Sequence, residues 1–136
     1  MNTSTIHSKY RYLLAGMLIS TLSYASPEAL LDDYQNQGAA DFSLKAGQAA
    51  WEREYTANSL PLTRSCSSCH GDDLSQPGKH IKTGKTIKAM KPSSNPERLS
   101  DVKKVEKWFR RNCRWTMGRE CTAQEKGDFV RYINQP

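Results

Sequence analysis

The chain has 136 residues, 37% of them hydrophobic and 25% charged, with a mean hydropathy of −0.75. That suits one small domain whose side-chain core alone leaves little margin, so a disulfide, metal or cofactor is expected to help hold it. Lys and Arg outnumber Asp and Glu by 20 to 14, an excess too modest to define a partner by itself.

In chain order, His7, Lys9 and Arg11 precede a mostly apolar, uncharged run from Tyr12 to Leu22, and Ser23-Tyr24-Ala25 puts small residues where a signal peptidase reads. A run of about a dozen residues falls short of the roughly twenty that span a bilayer. Residues 1–25 are therefore expected to be a secretory signal peptide, with an uncleaved anchor as the alternative. Residues 26–136 are expected to form one mature periplasmic domain, without membrane insertion after cleavage, in a compartment that permits disulfides. Loss of Lys9 and Arg11 leaves 18 basic residues against 14 acidic ones.

Ser26 and Pro27 open a first helix over Pro27–Gln35, which Gly38 ends. Asp41 can cap a second helix reaching about Tyr55, with Leu44, Gly47, Ala50, Trp51 and Tyr55 on one side. From Thr56 to Ser100 the chain is rich in Pro and Ser, with Gly and Asn among them, and reads as a long loop. Within it Lys79, Lys82, Lys85, Lys88 and Lys91 recur every third residue, with His80 among them. Such a run is either a solvated loop or a docking surface for an acidic partner; lacking interleaved aromatics in an exported chain, it does not point to nucleic acid.

Ser100 or Asp101 starts a third helix, where Val102, Val105, Trp108 and Phe109 form an apolar stripe while Lys103, Lys104, Lys107, Arg110 and Arg111 take the wet side. Thr122 followed by Glu125 is a capping box for a last helix to about Ile133, whose Phe129, Val130, Tyr132 and Ile133 are available for packing. Strand signals and internal repeats are lacking. The expectation is an all-α domain of about four helices with one long connection, the kind of loop that usually wraps or binds something.

The chemistry lies in Cys66-Ser67-Ser68-Cys69-His70, which is C-x-x-C-H, the attachment signature of a c-type haem. Two residues between the thiols let both sulfurs reach the two vinyl groups of one porphyrin, and the next residue turns an imidazole under the iron. A thioredoxin-like redox pair would want a βαβ setting, and half a zinc site would want a second ligand pair at matching spacing, which Cys113 and Cys121 do not supply. One covalent haem c with His70 as proximal ligand is expected, in a small class I-like cytochrome c fold. In such folds the first long helix crosses the last at a glycine–aromatic contact, and Gly47 with Trp51 and Phe129 with Tyr132 resemble that pair. For the sixth position on the iron the candidates are Met90, Met117, His80 and Asn112. By position alone Met90, some twenty residues after the motif and beside Lys91-Pro92, looks like a ligand loop and would make an ordinary low-spin electron carrier with His70/Met90 ligation. No further acid–base pair points to dedicated catalysis, although O₂- or NO-linked redox turnover is a third reading.

Three segments carry a resemblance: Pro92-Ser93-Ser94-Asn95-Pro96-Glu97-Arg98, then Val105 to Cys113 (V-E-K-W-F-R-R-N-C), then Gly118 to Asp128 (G-R-E-C-T-A-Q-E-K-G-D). They are similar to the sphaeroides haem protein family of bacterial cytochromes c, and the likeness covers nearly the whole mature chain. The resemblance implies a monohaem, high-spin cytochrome that reacts with O₂, NO and CO when reduced and takes electrons from a redox partner, a dihaem cytochrome c. By position it implies Asn112 as distal ligand, with Met90 as runner-up, and a Cys113–Cys121 disulfide that pins the ligand-bearing helix. Trp108 and Phe109 sit one turn before Asn112, so one of them is expected against the porphyrin, where it would keep water from the distal side.

Overall fold

The computed structural model describes residues 26–56 and 62–136; the expected signal peptide lies outside the described residues. Among the described residues five helices form: α1 (Pro27–Asn36), α2 (Leu44–Glu52), a single turn α3 (Ser67–His70), α4 (Val102–Met117) and α5 (Ala123–Ile133). The turn α3, which carries the C-x-x-C-H motif, adds to the four expected. A two-residue antiparallel hairpin, β1 (Gly78–Lys79) with β2 (Thr86–Ile87), sits in the long connection, where no strand was expected. Two residues per strand give no alternating pattern to read. Among the described residues, no helix is long and apolar enough to cross a membrane.

The helix ends follow from local chemistry. Ser26 Oγ accepts from Ala29 N, Asp101 accepts from Lys104 N, and Thr122 with Glu125 closes a reciprocal capping box. Helix α4 stops at Gly118, whose φ of 75° is a left-handed cap that a side chain would strain. Helix α2 is shorter than expected at both ends. Ser43 rather than Asp41 caps it, because Gln124 and Asp128 of α5 hold residues 40–43: Ala40 N donates to Gln124 Oε1 at 2.8 Å, and Ser43 N to Asp128 Oδ1 at 2.8 Å. Tyr55 leaves the helix to bridge Arg64 through paired backbone hydrogen bonds.

Leu30, Leu31 and Tyr34 of α1, Trp51 of α2, and Phe129, Val130, Tyr132 and Ile133 of α5 make the core, each such side chain contributing roughly 1.5–3 kcal/mol. Gly47 lets α2 cross α5 with Asp128's backbone and Tyr132 against it. Trp51 fills the next turn, its ring 6.3 Å from Phe129 and 5.8 Å from Tyr132. Helix α4 is fixed by a different device. Glu106 accepts from Tyr34 Oη and from Lys126 Nζ, both at 2.6 Å, so one carboxylate ties α1, α4 and α5 together. Burial and that carboxylate keep the Tyr34 phenol protonated far above its ordinary range. Val105, Trp108 and Phe109 of the apolar stripe of α4 thereby border a cavity, and Phe109 also packs on Tyr34 of α1 and Phe129 of α5.

Candidate haem site

That cavity has a volume of about 1280 Å³. It exceeds the roughly 300–1,000 Å³ of ordinary small-molecule pockets. Trp51, Leu99, Phe109, Phe129 and Ile133 give it apolar walls, and Cys66, Cys69 and His70 stand along its margin. The motif is held rigidly. Ser65 Oγ accepts from Ser68 N at 3.1 Å, His70 N bonds Cys66 O, and Trp51 reaches over α3 to donate its indole N–H to Gly71 O at 3.0 Å. The Trp51 ring lies 5.4 Å from that of His70, so the core aromatic that α2 contributes also orients the imidazole.

Burial sets the protonation of these groups. It pulls the His70 imidazole down to about 4, with Arg98 and His80 adding repulsion, so at neutral pH the ring keeps a lone pair free for a metal. His70 Nδ1 is buried without a hydrogen-bond partner among the described residues. Burial pushes the Cys66 thiol up to about 12, the opposite of the depressed values that make a redox C-x-x-C reactive. Among the described residues, no group of three or more His, Cys, Asp or Glu side chains is assembled around a metal ion, which a zinc site would need. Two thiols at vinyl spacing, a neutral imidazole and a large apolar cavity together fit one haem c.

The four candidates for the sixth position all line the cavity, His80 and Met90 from the long connection and Asn112 and Met117 from α4. Met90 is buried in the long connection and tethered beside the motif: its N–H and that of Lys91 both donate to Leu74 O, four residues beyond His70. Arg98 and Asn95 clamp the preceding Ala89 carbonyl, and Leu99, at φ 63°, holds the turn into α4. His80 spends Nδ1 on the N–H groups of Lys82 and Thr83. Met117 lies with its sulfur 3.7 Å from Cys121 Sγ. Asn112 sits on α4, in the helix fixed by Glu106, and among the described residues its amide has no hydrogen-bond partner. Trp108 also faces the cavity but is 41% exposed at its rim, with the Arg111 guanidinium 5.4 Å from its ring; Phe109 is the deeper of the two, stacked 6.2 Å from Phe129.

A disulfide joins Cys113, directly after Asn112, to Cys121, directly before the α5 cap, and both residues are buried. Closing so short a loop contributes about 2–3 kcal/mol. The double variant Cys113→Ser/Cys121→Ser is therefore expected to melt at least about 10 °C lower, read by circular dichroism.

Residues 37–133 match the family described as a domain of unknown function, DUF1924. Over 126 residues the chain is 34% identical to the cytochrome c-type protein SHP of Cereibacter sphaeroides, covering 90% of this chain and 96% of that protein. The chain belongs to the SHP-type cytochrome c family. The fold agrees: the structure of oxidized SHP, an oxygen-binding cytochrome c, matches with a TM-score of 0.76 at 36% identity, over 82% of this chain and 97% of that one. The solution structure of cytochrome c'' from Methylophilus methylotrophus, which bears on haem-ligand detachment in that protein, matches with a TM-score of 0.71 at 29% identity, over 81% and 93%. As an SHP-type cytochrome c, the protein has one haem c as its cofactor, in keeping with its single C-x-x-C-H motif.

In this SHP-type chain the basic rim is larger than the lysine run suggested. Lys82 and Lys85 edge the cavity from the hairpin side, and Lys104, Lys107, Arg110 and Arg111, read in sequence as an ordinary wet helix face, edge it from α4. Two members of the run are engaged elsewhere: Lys88 pairs with Glu97 at 3.3 Å, and Lys91 Nζ donates to Pro136 O at 2.6 Å.

Proposed function

We propose that residues 26–136 are an exported, periplasmic gas-binding cytochrome c, with Cys66 and Cys69 as thioether anchors, His70 as the permanent axial ligand and Asn112 as a weak second one. When bound, the haem supplies an iron that carries one electron and, when ferrous, takes a diatomic ligand such as O₂, NO or CO. The observation that carries the reading is the place of Asn112, which lines the cavity from α4, an element separate from the segment that bears His70. An uncharged amide oxygen is a hard, feeble donor that suits ferric iron and holds the softer ferrous ion poorly, so Asn112 would hold the iron only weakly once it is reduced. Glu106, through Tyr34 and Lys126, and the Cys113–Cys121 disulfide tie α4 to its neighbours on either side of Asn112. Phe109, and Trp108 at the rim, limit water on that side. Oxygen binding in SHP and ligand detachment in cytochrome c'' support the same behaviour here.

The competing carrier with Met90 as ligand gives a different spectrum. The ferric protein is expected to be high-spin, without the far-red iron–methionine charge-transfer band, and the reduced protein to bind CO. A Met90→Leu variant should leave both properties unchanged. A ferrous protein that refuses CO would end the gas-binding reading.

The basic rim supports docking of an acidic redox partner, in line with a dihaem cytochrome c as electron donor. Lys82 and Lys85 are exposed and carry no ion pair among the described residues. Stopped-flow reduction by that donor is expected to slow at least about tenfold between low salt and roughly 0.5 M, because the Debye length shortens to a few ångströms. A salt-independent rate removes the rim from the docking step.

A further inference from the structure

One charged side chain in the cavity wall is left over after the iron ligands and the rim are accounted for. Arg64 is 7% exposed and lines the cavity. Its Nη1 donates to Trp115 O at 3.2 Å and its guanidinium lies 4.1 Å above the Trp115 ring, but among the described residues its buried Nε has no partner. No carboxylate pairs with it among the described residues. Trp115, one turn beyond Asn112 on α4, lines the same cavity, and among the described residues its buried indole Nε1 has no partner. His80 lies on Trp115, ring centroids 6.0 Å apart. Arg98 makes the contrast, since its guanidinium is spent on the carbonyls of Lys88 and Ala89.

A buried guanidinium without an anion is costly, and an arginine and a tryptophan that line one cavity suit a planar acceptor with negative charge. An arginine fork beside an indole N–H matches a carboxylate. The chain supplies none there, but haem carries two, on its propionates. We propose that Arg64 and Trp115 together clamp one haem propionate inside the protein, neutralising it and fixing how the porphyrin is rotated beneath Asn112. This rests on haem as the cofactor and does not depend on Asn112 being the distal ligand. The rival use of the same donors is to hydrogen-bond a gas on the iron.

Resonance Raman spectra of the reduced CO complex of the haem-loaded protein separate the two, because the propionate bending band reports on the carboxylate and the iron–CO stretch on donors near the gas. Trp115→Phe removes one N–H and keeps a ring for Arg64 to stack on; Arg64→Met removes the charge and keeps the length. Both variants are expected to shift the propionate band while the iron–CO band stays in place. Arg64→Met should also lower the reduction potential, since an uncompensated carboxylate favours ferric iron. A propionate band that stays in place in both variants overturns the proposal, whatever the iron–CO band does. Should Arg64→Met fail to fold, Trp115→Phe decides alone.

Discussion

Asn112→Ala is expected to bind added anions such as azide or cyanide to the ferric protein more tightly, by roughly 5- to 150-fold, while ferrous CO affinity moves by less than about threefold. The asymmetry follows from linkage. A ligand that holds only one redox state competes with added ligands only in that state, so its removal is felt there and nowhere else. The size follows from the weakness of the bond: a group that reduction can dislodge contributes about 1–3 kcal/mol of coupling. Spectrophotometric titration of the ferric variant and CO titration of the reduced one give both numbers. Equal changes in the two states would mean that Asn112 shapes the cavity without bonding the iron, and no change in either would return the sixth position to Met90.

The parts of this site that could be read from sequence are those in which chemistry is local. The C-x-x-C-H run places two thiols and an imidazole within five consecutive residues, and Ser26 or Thr122 with Glu125 announces a helix start within one turn. Asp41 failed as a cap because the forces that place it are not local: Gln124 and Asp128, more than eighty residues away, bind the backbone at 40 and 43. Arg64 and Trp115 are 51 positions apart, and nothing in either neighbourhood says that one will stack on the other. The basic residues of α4 show a related limit. Periodicity separates the wet face of a helix from the dry one, but it does not report that the dry face borders a cavity and the wet one its rim. The Tyr34–Glu106–Lys126 cluster that fixes that orientation joins three helices through one carboxylate, and its members look like ordinary surface residues in sequence.

The second large effect is expected at the helix crossing, far from the iron. A methyl group added at Gly47 would overlap the Asp128 carbonyl and stand 2.9 Å from Tyr132 Cβ, so its main obstacle is α5 backbone with no rotamer to turn aside. Alanine gains about 0.5–1 kcal/mol over glycine inside a helix. Forcing the helices apart costs more, about 3 kcal/mol, at the upper end of overpacking penalties because α2 and α5 must separate along their contact. Gly47→Ala is therefore expected to lower the melting temperature of the haem-loaded protein by roughly 10–20 °C, measured by thermal circular dichroism. The damage should reach the site as well. Trp51, one turn along α2, donates to Gly71 O and lies against the His70 ring, so a displaced α2 loosens the imidazole that the iron depends on. A broadened ferric spectrum alongside the lower melting point would tie the two together. A variant that melts within about 2 °C of the parent would mean that α5 yields without cost, and that this glycine is not what sets the distance between the helices.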